Sequence, residues 1–291
     1  NELQLKSTVD SNRSGMTELG QTTSPIAPNR TNVALQRVLL PPASVELSLQ
    51  TCSTDGQEIY ESCAVADTVD VVLTVFSRDY LEAQLDQVLE QTHVVSHVWI
   101  VQNENHVDAR GIVETWMRKV APQHIPVDIV QFSSNSRYHG RFHVAYFMST
   151  AEYVTIWDDD VELGKGWVQH CIDTSRKYGD ALVGANGRSI VSLLHDSRNY
   201  SRQIEREGEN DFVGHTWTLK RQLLKLFLAE QPVTYVTGED IQLSYALHKY
   251  GIKSVKAKHL DTAFARDTKF TTDEHASFTK EHLQVVRQWL F

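Results

Sequence analysis

The sequence predicts an α/β fold built on a mostly parallel sheet flanked by helices. Two observations carry the prediction. Short β-branched runs recur along the chain, and each is followed by apolar residues at helical spacing. Every one of these runs also ends in polar side chains. Alternation of strand and helix is the pattern of a parallel sheet with right-handed crossovers, and such sheets place ligands beyond the carboxyl ends of their strands.

The elements follow in order. "VDVVLTVFSRD" from Val69 to Asp79 reads as a strand buried on both faces. "YLEAQLDQVLEQT" repeats Leu81, Leu85, Val88 and Leu89 at helical spacing. "SHVWIVQNEN" is a second strand, "RGIVETWMRKVA" a second helix, "VDIVQFS" a third strand and "RFHVAYFMSTA" a third helix. "YVTIWDDD" is the fourth strand. The polar ends are Ser77, Arg78 and Asp79, then Asn103, then Ser134 and Asn135, then the aspartates, all directed to one edge of the sheet. The second half is less regular. "GWVQHCIDTSRKYG" is a helix closed by glycine, "ALVGANGRSI" a strand and turn, and residues 193–211 a long charged loop. "RQLLKLFLAEQ" and "GEDIQLSYALHKYG" read as helices, "IKSVKAKHLD" as a short strand and "EHASFTKEHLQVVRQWLF" as a last helix. "GANGRS" and "LGKGW" lack the lysine pattern of a phosphate loop and read as turns.

Composition bounds the partners. At 41% hydrophobic and 22% charged residues the chain is an ordinary folded protein. Its formal net charge of −9 argues against nucleic acid as a partner. No apolar run reaches the roughly 18 residues of a membrane span. Residues 1–45 are rich in Ser, Thr, Asn, Gln and Pro and read as a flexible stem or linker, leaving 46–291 as one domain. The spacing of Cys52 and Cys63 allows a disulfide, whereas Cys171 falls in a helical pattern as a buried thiol. Sequons occur at Asn12, Asn29 and Asn199. With the polar stem and a start at Asn1 rather than methionine, they lead to the expectation of a Golgi or ER lumenal part of a type II membrane protein, its anchor lying outside this chain. Accidental sequons would instead leave it cytoplasmic.

Asp158, Asp159 and Asp160 end the fourth strand. Adjacent carboxylates repel, and partial burial adds to the cost unless a cation sits among them. A short acidic run can also do no more than solvate a turn. Its place at a strand end of a parallel sheet, with basic residues at the other strand ends, favours the cation. Mg²⁺ or Mn²⁺ takes oxygen ligands and bridges carboxylates to a diphosphate. Glu239 and Asp240 open a predicted helix, where carboxylates are favoured as caps and by the dipole.

"TIWDDDV", "GHTWTLKRQLLKLF" and "TGEDIQLSYALHKYGIKS", in this order, resemble the nucleotide-sugar glycosyltransferases of the GT-A fold over roughly residues 69–262. The triple aspartate and the upstream "SNSRYHGRF" look most like the exostosin-like branch, while the "GED" wording is closer to the broad bacterial-type family. The resemblance implies a Rossmann-like sheet, with residues 69–160 as the nucleotide-binding half. Residues 161–291 would form an irregular acceptor-binding half with a final helix. It implies a metal-dependent transferase that moves a sugar from a nucleotide-sugar donor, a UDP-sugar first, to a hydroxyl of a glycan or glycoprotein.

Carried onto this sequence, the resemblance assigns the metal, Mn²⁺ or Mg²⁺, to Asp160, with His259 completing its shell. Asp158 faces the ribose or base, and Asp159 is a supporting or capping group. Val75, Phe76, Ser77 and Arg78 lie near the base, Asn103 touches it, and Arg137 and Arg141 contact the nucleotide or diphosphate. His215 and Trp217 form the acceptor wall. Asp240, with Glu239 as alternate, is the general base of an inverting reaction or the stabilising carboxylate of a retaining one. Trp157 is read as core. Two other readings compete. A sugar nucleotidyltransferase would need a glycine-rich basic loop after the first strand, which "TVFSRDYLEAQ" lacks. Against a non-catalytic nucleotide- or sugar-binding module count Asp158, Asp160 and Asp240, all intact; such a module would bind metal and UDP without turning over a donor.

Overall fold

The computed structural model describes residues 33–37, 67–120, 125–191, 201–258, 263–264 and 281–288. Thr31–Phe291 form one compact unit. Its elements are β1 (Val33–Arg37), β2 (Val69–Val75), α1 (Leu81–Leu89), β3 (His97–Asn103), α2 (Ala109–Val120), β4 (Val127–Phe132), α3 (Gly140–Phe147), β5 (Tyr153–Trp157) and β6 (Val161–Glu162). These are followed by α4 (Trp167–Lys177), β7 (Leu182–Gly184), β8 (Asn186–Ile190), β9 (Ser201–Ile204), β10 (Gly208–Asn210), β11 (Phe212–Gly214) and β12 (Thr216–Lys220). Last come α5 (Leu224–Leu228), α6 (Glu239–His248), β13 (Ser254–Lys256) and β14 (Ala263–Phe264), with a further helical segment at 281–288.

The main sheet runs β1-β4-β3-β2-β5-β12-β7-β13-β10. The nucleotide-side strands β4, β3, β2 and β5 are all parallel. β12 enters antiparallel between β5 and β7, and β13 is again parallel to β7. A small sheet β11-β8-β9 stands beside it. The period-2 alternation of strands divides the core. Val69, Val71, Leu73, Tyr153 and Trp157 face α1, α2 and α4, whereas Val72, Val154, Ile156 and Trp217 face α3, α5 and α6. Burial on both faces explains why these strands read as unbroken apolar runs. Trp157 is a core residue, as expected, and Cys171 is buried and free.

Four parts of the sequence reading change. Val33–Arg37, assigned to the stem, is an edge strand antiparallel to β4. The open edge of β4 supplies its partner, which local composition does not reveal. Within the predicted loop 193–211, β9 pairs with β8 and β10 with β13. β11 and β12 stand in a stretch that had carried no strand assignment. The helix predicted over Arg221–Gln231 is shorter, a 3₁₀ turn at Arg221–Leu223 leading into α5. The Cys52–Cys63 pair and the sequon asparagines lie outside the described residues.

His139, which precedes α3, shows the cost of burying a polar ring. It is 3% exposed, neither ring nitrogen has a hydrogen-bond partner, and the ring lies 6.0 Å from Phe227 and 5.4 Å from Tyr235. Burial first, then the positive charge of His143 and Arg141, lowers its pKa from 6.5 to about 4. The unfolded chain therefore takes up the proton first as pH falls, so stability is present above pH 6.5 and drains away towards pH 4, by up to about 3 kcal/mol. His139→Phe is expected to raise the urea midpoint at pH 7 and to flatten the fall between pH 6.5 and 4. Equal pH slopes in the two proteins would refute this account.

Candidate functional site

The site is built on the turn after β5. Trp157 O accepts from Thr74 Oγ1 at 3.1 Å, and Asp158 O accepts from Gln84 Nε2 at 2.7 Å. Asp158 N–H donates to His215 O at 3.0 Å. β2, α1 and the β11–β12 corner thus hold the backbone on which the aspartates stand.

The three carboxylates have different partners. Asp158 pairs with Arg141 and Asp159 with Arg78. Asp160 lies 3.6 Å from Arg78 Nη2 and 3.7 Å from His215 Nδ1. His215 reaches it because Thr216 pairs with Trp157 in the antiparallel β12–β5 register, which sets the preceding residue beside Asp158. Its φ of +66° is in the left-handed region, which costs a non-glycine residue about 1–3 kcal/mol and is typical of functional corners. Burial works against the charged form of Asp160, but His215 and Arg78 outweigh it and hold its pKa below the ordinary carboxylate value. His215 is raised in turn: burial opposes its charge, and Asp160 and Asp158 overcome that effect. Asp158 is raised by burial, against the pull of Arg141. Burial likewise raises Asp159 to about 6 despite Arg78.

These residues fit a divalent cation. One ligand atom from each of Asp158, Asp160 and His215 lies within 4.8 Å of the others. Asp160 Oδ1 is buried and accepts no hydrogen bond. An ion about 2.1 Å from each donor has opposite donors about 4.2 Å apart, so small side-chain adjustments suffice. Two carboxylates and an imidazole are a common donor set for a first-row divalent ion. His215, assigned from sequence to the acceptor wall, thus stands among the candidate ligands. His259 lies outside the described residues.

Arg141 joins the two halves of the site. It is 3% exposed, and its Nη2 donates to Glu239 Oε1 at 2.6 Å while Nη1 meets Asp158. Its guanidinium lies 4.2 Å over the Trp217 ring. Two expected site residues thus have partners within the protein. Arg141 is an internal counter-ion, with both of its terminal nitrogens engaged by protein carboxylates. Trp217 is 1% exposed, donates Nε1–H to Val213 O at 3.0 Å and supports Arg141, so no sugar can stack on it.

Glu239 and Asp240 follow Gly238, whose φ of +85° turns the chain into α6. Glu239 is 5% exposed and bound to Arg141, and burial raises its pKa against that pull. Asp240 is only partly buried, and its Oδ1 accepts from Ile241 N–H at 2.7 Å. Burial raises its pKa to about 6, still ionised at neutral pH. The pair divides into an internal partner for Arg141 and a carboxylate able to take a proton.

The remaining expected residues are spread along the strand ends. Val75 is 2% exposed and belongs to the core, whereas Phe76 is 40% exposed and packs edge-on to His106 at 4.8 Å. Asn103 uses its amide to tie down the next loop: Oδ1 accepts from Ser136 N–H at 3.0 Å, and Nδ2 donates to Arg137 O at 3.1 Å. That leaves it holding the loop rather than presenting a free amide to a base. Arg137 is exposed at φ +51° in a turn closed by Asn135 Oδ1.

The sequence profile described as Glycosyl transferase family 2 matches residues 70–238, more than half of the 291-residue chain. No curated protein matches the chain. Among solved structures, GalNAc-T7 with UDP, GalNAc and Mn²⁺ superposes with a TM-score of 0.58 at 10% identity, covering 76% of this chain and 48% of that one. The mannosyltransferase PcManGT from Pyrobaculum calidifontis, in complex with GDP-Man and Mn²⁺, gives 0.52 at 15% identity, covering 77% and 65%. The chain spans about half of the first and slightly less than two thirds of the second. At such identities the likeness is one of fold, and the fold is of the GT-A type.

Removing Arg141 would leave Glu239 buried, and Asp158 half-buried, without their counter-ion. Arg141→Met is expected to cost about 3–5 kcal/mol in urea denaturation, and adding Glu239→Gln should recover part of it. A loss below about 1 kcal/mol would refute the role of Arg141 as the central counter-ion.

Proposed function

Because the chain belongs to glycosyl transferase family 2, we propose that it transfers a sugar from a nucleotide-sugar donor, a UDP-sugar first, to a hydroxyl of a glycan or glycoprotein. The reading rests above all on Asp158, Asp160 and His215 converging at the carboxyl end of β5. That edge is where an α/β sheet receives a nucleotide. Both similar structures hold Mn²⁺ with a nucleotide or nucleotide sugar, which supports Mn²⁺ here.

The roles follow from the geometry. Asp160 and His215, with Asp158, would hold the metal, which when bound neutralises the diphosphate as it leaves. Arg141 keeps Asp158 and Glu239 in place. Asp240 takes the proton from the acceptor hydroxyl, since its carboxyl is ionised at neutral pH and is not tied to Arg141. This assignment favours inversion, against the retaining chemistry of the exostosin-like branch. That branch is supported by the triple aspartate and "SNSRYHGRF" alone. A lumenal Golgi or ER location is part of the proposal and is supported by the sequons and the Cys52–Cys63 spacing.

The test is nucleotide release from a panel of UDP- and GDP-sugars with Mn²⁺ or EDTA. One donor should release its nucleotide only with metal. Asp160→Ala should lower that rate on the order of 100-fold or more, as expected for several kcal/mol of lost charge stabilisation. Absence of any metal-dependent nucleotide binding by the unaltered protein would overturn the proposal.

A further inference from the structure

The 281–288 helix docks on the turn that delivers Glu239 and Asp240. His282 Nε2 and Thr237 Oγ1 are 3.0 Å apart, a hydrogen bond to the residue just before Gly238. A methyl group placed on Gly238 would lie 3.0 Å from Val285 Cγ2 and 3.3 Å from His282 Cδ2, so the helix lies directly against this left-handed residue. Val285 and Val286, 1% and 0% exposed, pack with Ile241 and Phe212 in a small core of their own. The helix therefore grips the chain on both sides of the acidic pair, at Thr237–Gly238 before it and at Ile241 after it. Burial lowers the proton affinity of His282, so the ring is neutral at pH 7 and the bond to Thr237 is a neutral one.

We propose that His282 is a positioning residue for transfer, with the 281–288 helix setting the Gly238 turn and through it the directions of Glu239 and Asp240. The inference deepens the proposed function and rests on it for the role of Asp240. The geometry makes the dependence specific. Gly238 is at φ +85°, and Gln242 N–H donates to Gly238 O at 3.0 Å, the first intrahelical bond of α6. Loss of the His282 bond frees the turn where that helix begins. The backbone that carries the Asp158–Asp160–His215 group is held by β2, α1 and the corner before β12, and the described ion pairs link α6 to it through Glu239 and Arg141, so metal and nucleotide binding are expected to persist.

The experiment compares His282→Ala, His282→Gln and Thr237→Val in the full chain, by hydrogen exchange and by steady-state transfer or nucleotide release. His282→Ala and Thr237→Val should each speed exchange at the Ile241 and Gln242 amides by about 10-fold, the upper range for one lost hydrogen bond, with the strands of the main sheet unchanged. They should lower kcat by about 10-fold with donor KM and Mn²⁺-dependent UDP affinity within about 2-fold, the signature of a misplaced reacting group. His282→Gln, which keeps a hydrogen-bonding nitrogen, should restore both. Exchange that is unchanged at these amides, or raised equally across the protein, would overturn the inference. So would unchanged kcat despite local exchange, or a matching loss of nucleotide affinity. If the unaltered protein shows no metal-dependent nucleotide release, the proposed function fails, and exchange alone then decides whether the helix sets the turn.

Discussion

The buried guanidinium of Arg141 is the constraint around which the rest of the site is arranged. One planar cation, carried by α3, faces a carboxylate from the end of β5 and another from the start of α6. Without it, Glu239 would be buried with no countercharge and Asp158 would lose its ion-pair partner, and burial of that kind is costly. With it, the mouth of the sheet can carry several carboxylates without being driven apart by their repulsion. The tryptophan beneath completes the cage by covering the face of the guanidinium. Because the bond to Glu239 spans 98 residues of sequence, it also connects the nucleotide-side strands to the acceptor-side helix.

The consequence for chemistry is a division of labour among like residues. Asp159 and Glu239 are engaged by arginines, and Asp160 lies against an imidazole. Asp240 accepts only a local backbone bond among the interactions described for it. Environment, rather than residue type, separates structural carboxylates from those free to bind an ion or a proton.

How much of this could be read from sequence depended on how local the cause was. β2 to β5 were legible because burial on both faces demands unbroken β-branched runs. The aspartates were legible because three adjacent like charges need a reason. β12 was not, since "TWTLK" is short and its place between β5 and β7 is decided by distant partners. The same register hid the position of His215, at the corner just before β12, and the burial of Trp217 on it, two residues apart and read alike as an acceptor wall. Arg141 was legible as a site residue, but its carboxylate partners were not, because neither is adjacent to it in the chain. β9 and β10 were concealed by charged, half-exposed side chains, which suit edge strands as well as loops.

β1 carries a last consequence, for how copies of this protein behave towards one another. It pairs with five of the six residues of β4, from Phe132 to Asp128. Without it, the outermost parallel strand would present a six-residue row of unpaired backbone donors and acceptors, a template for strand addition and aggregation. The opposite rim ends in β10, only three residues long, with Glu209 at its centre and Glu207 just before it, too short and too charged to invite the same pairing. Residues that resemble a linker thus contribute to colloidal behaviour, and trimming the chain past Arg37 exchanges a tidy N-terminus for an adhesive edge.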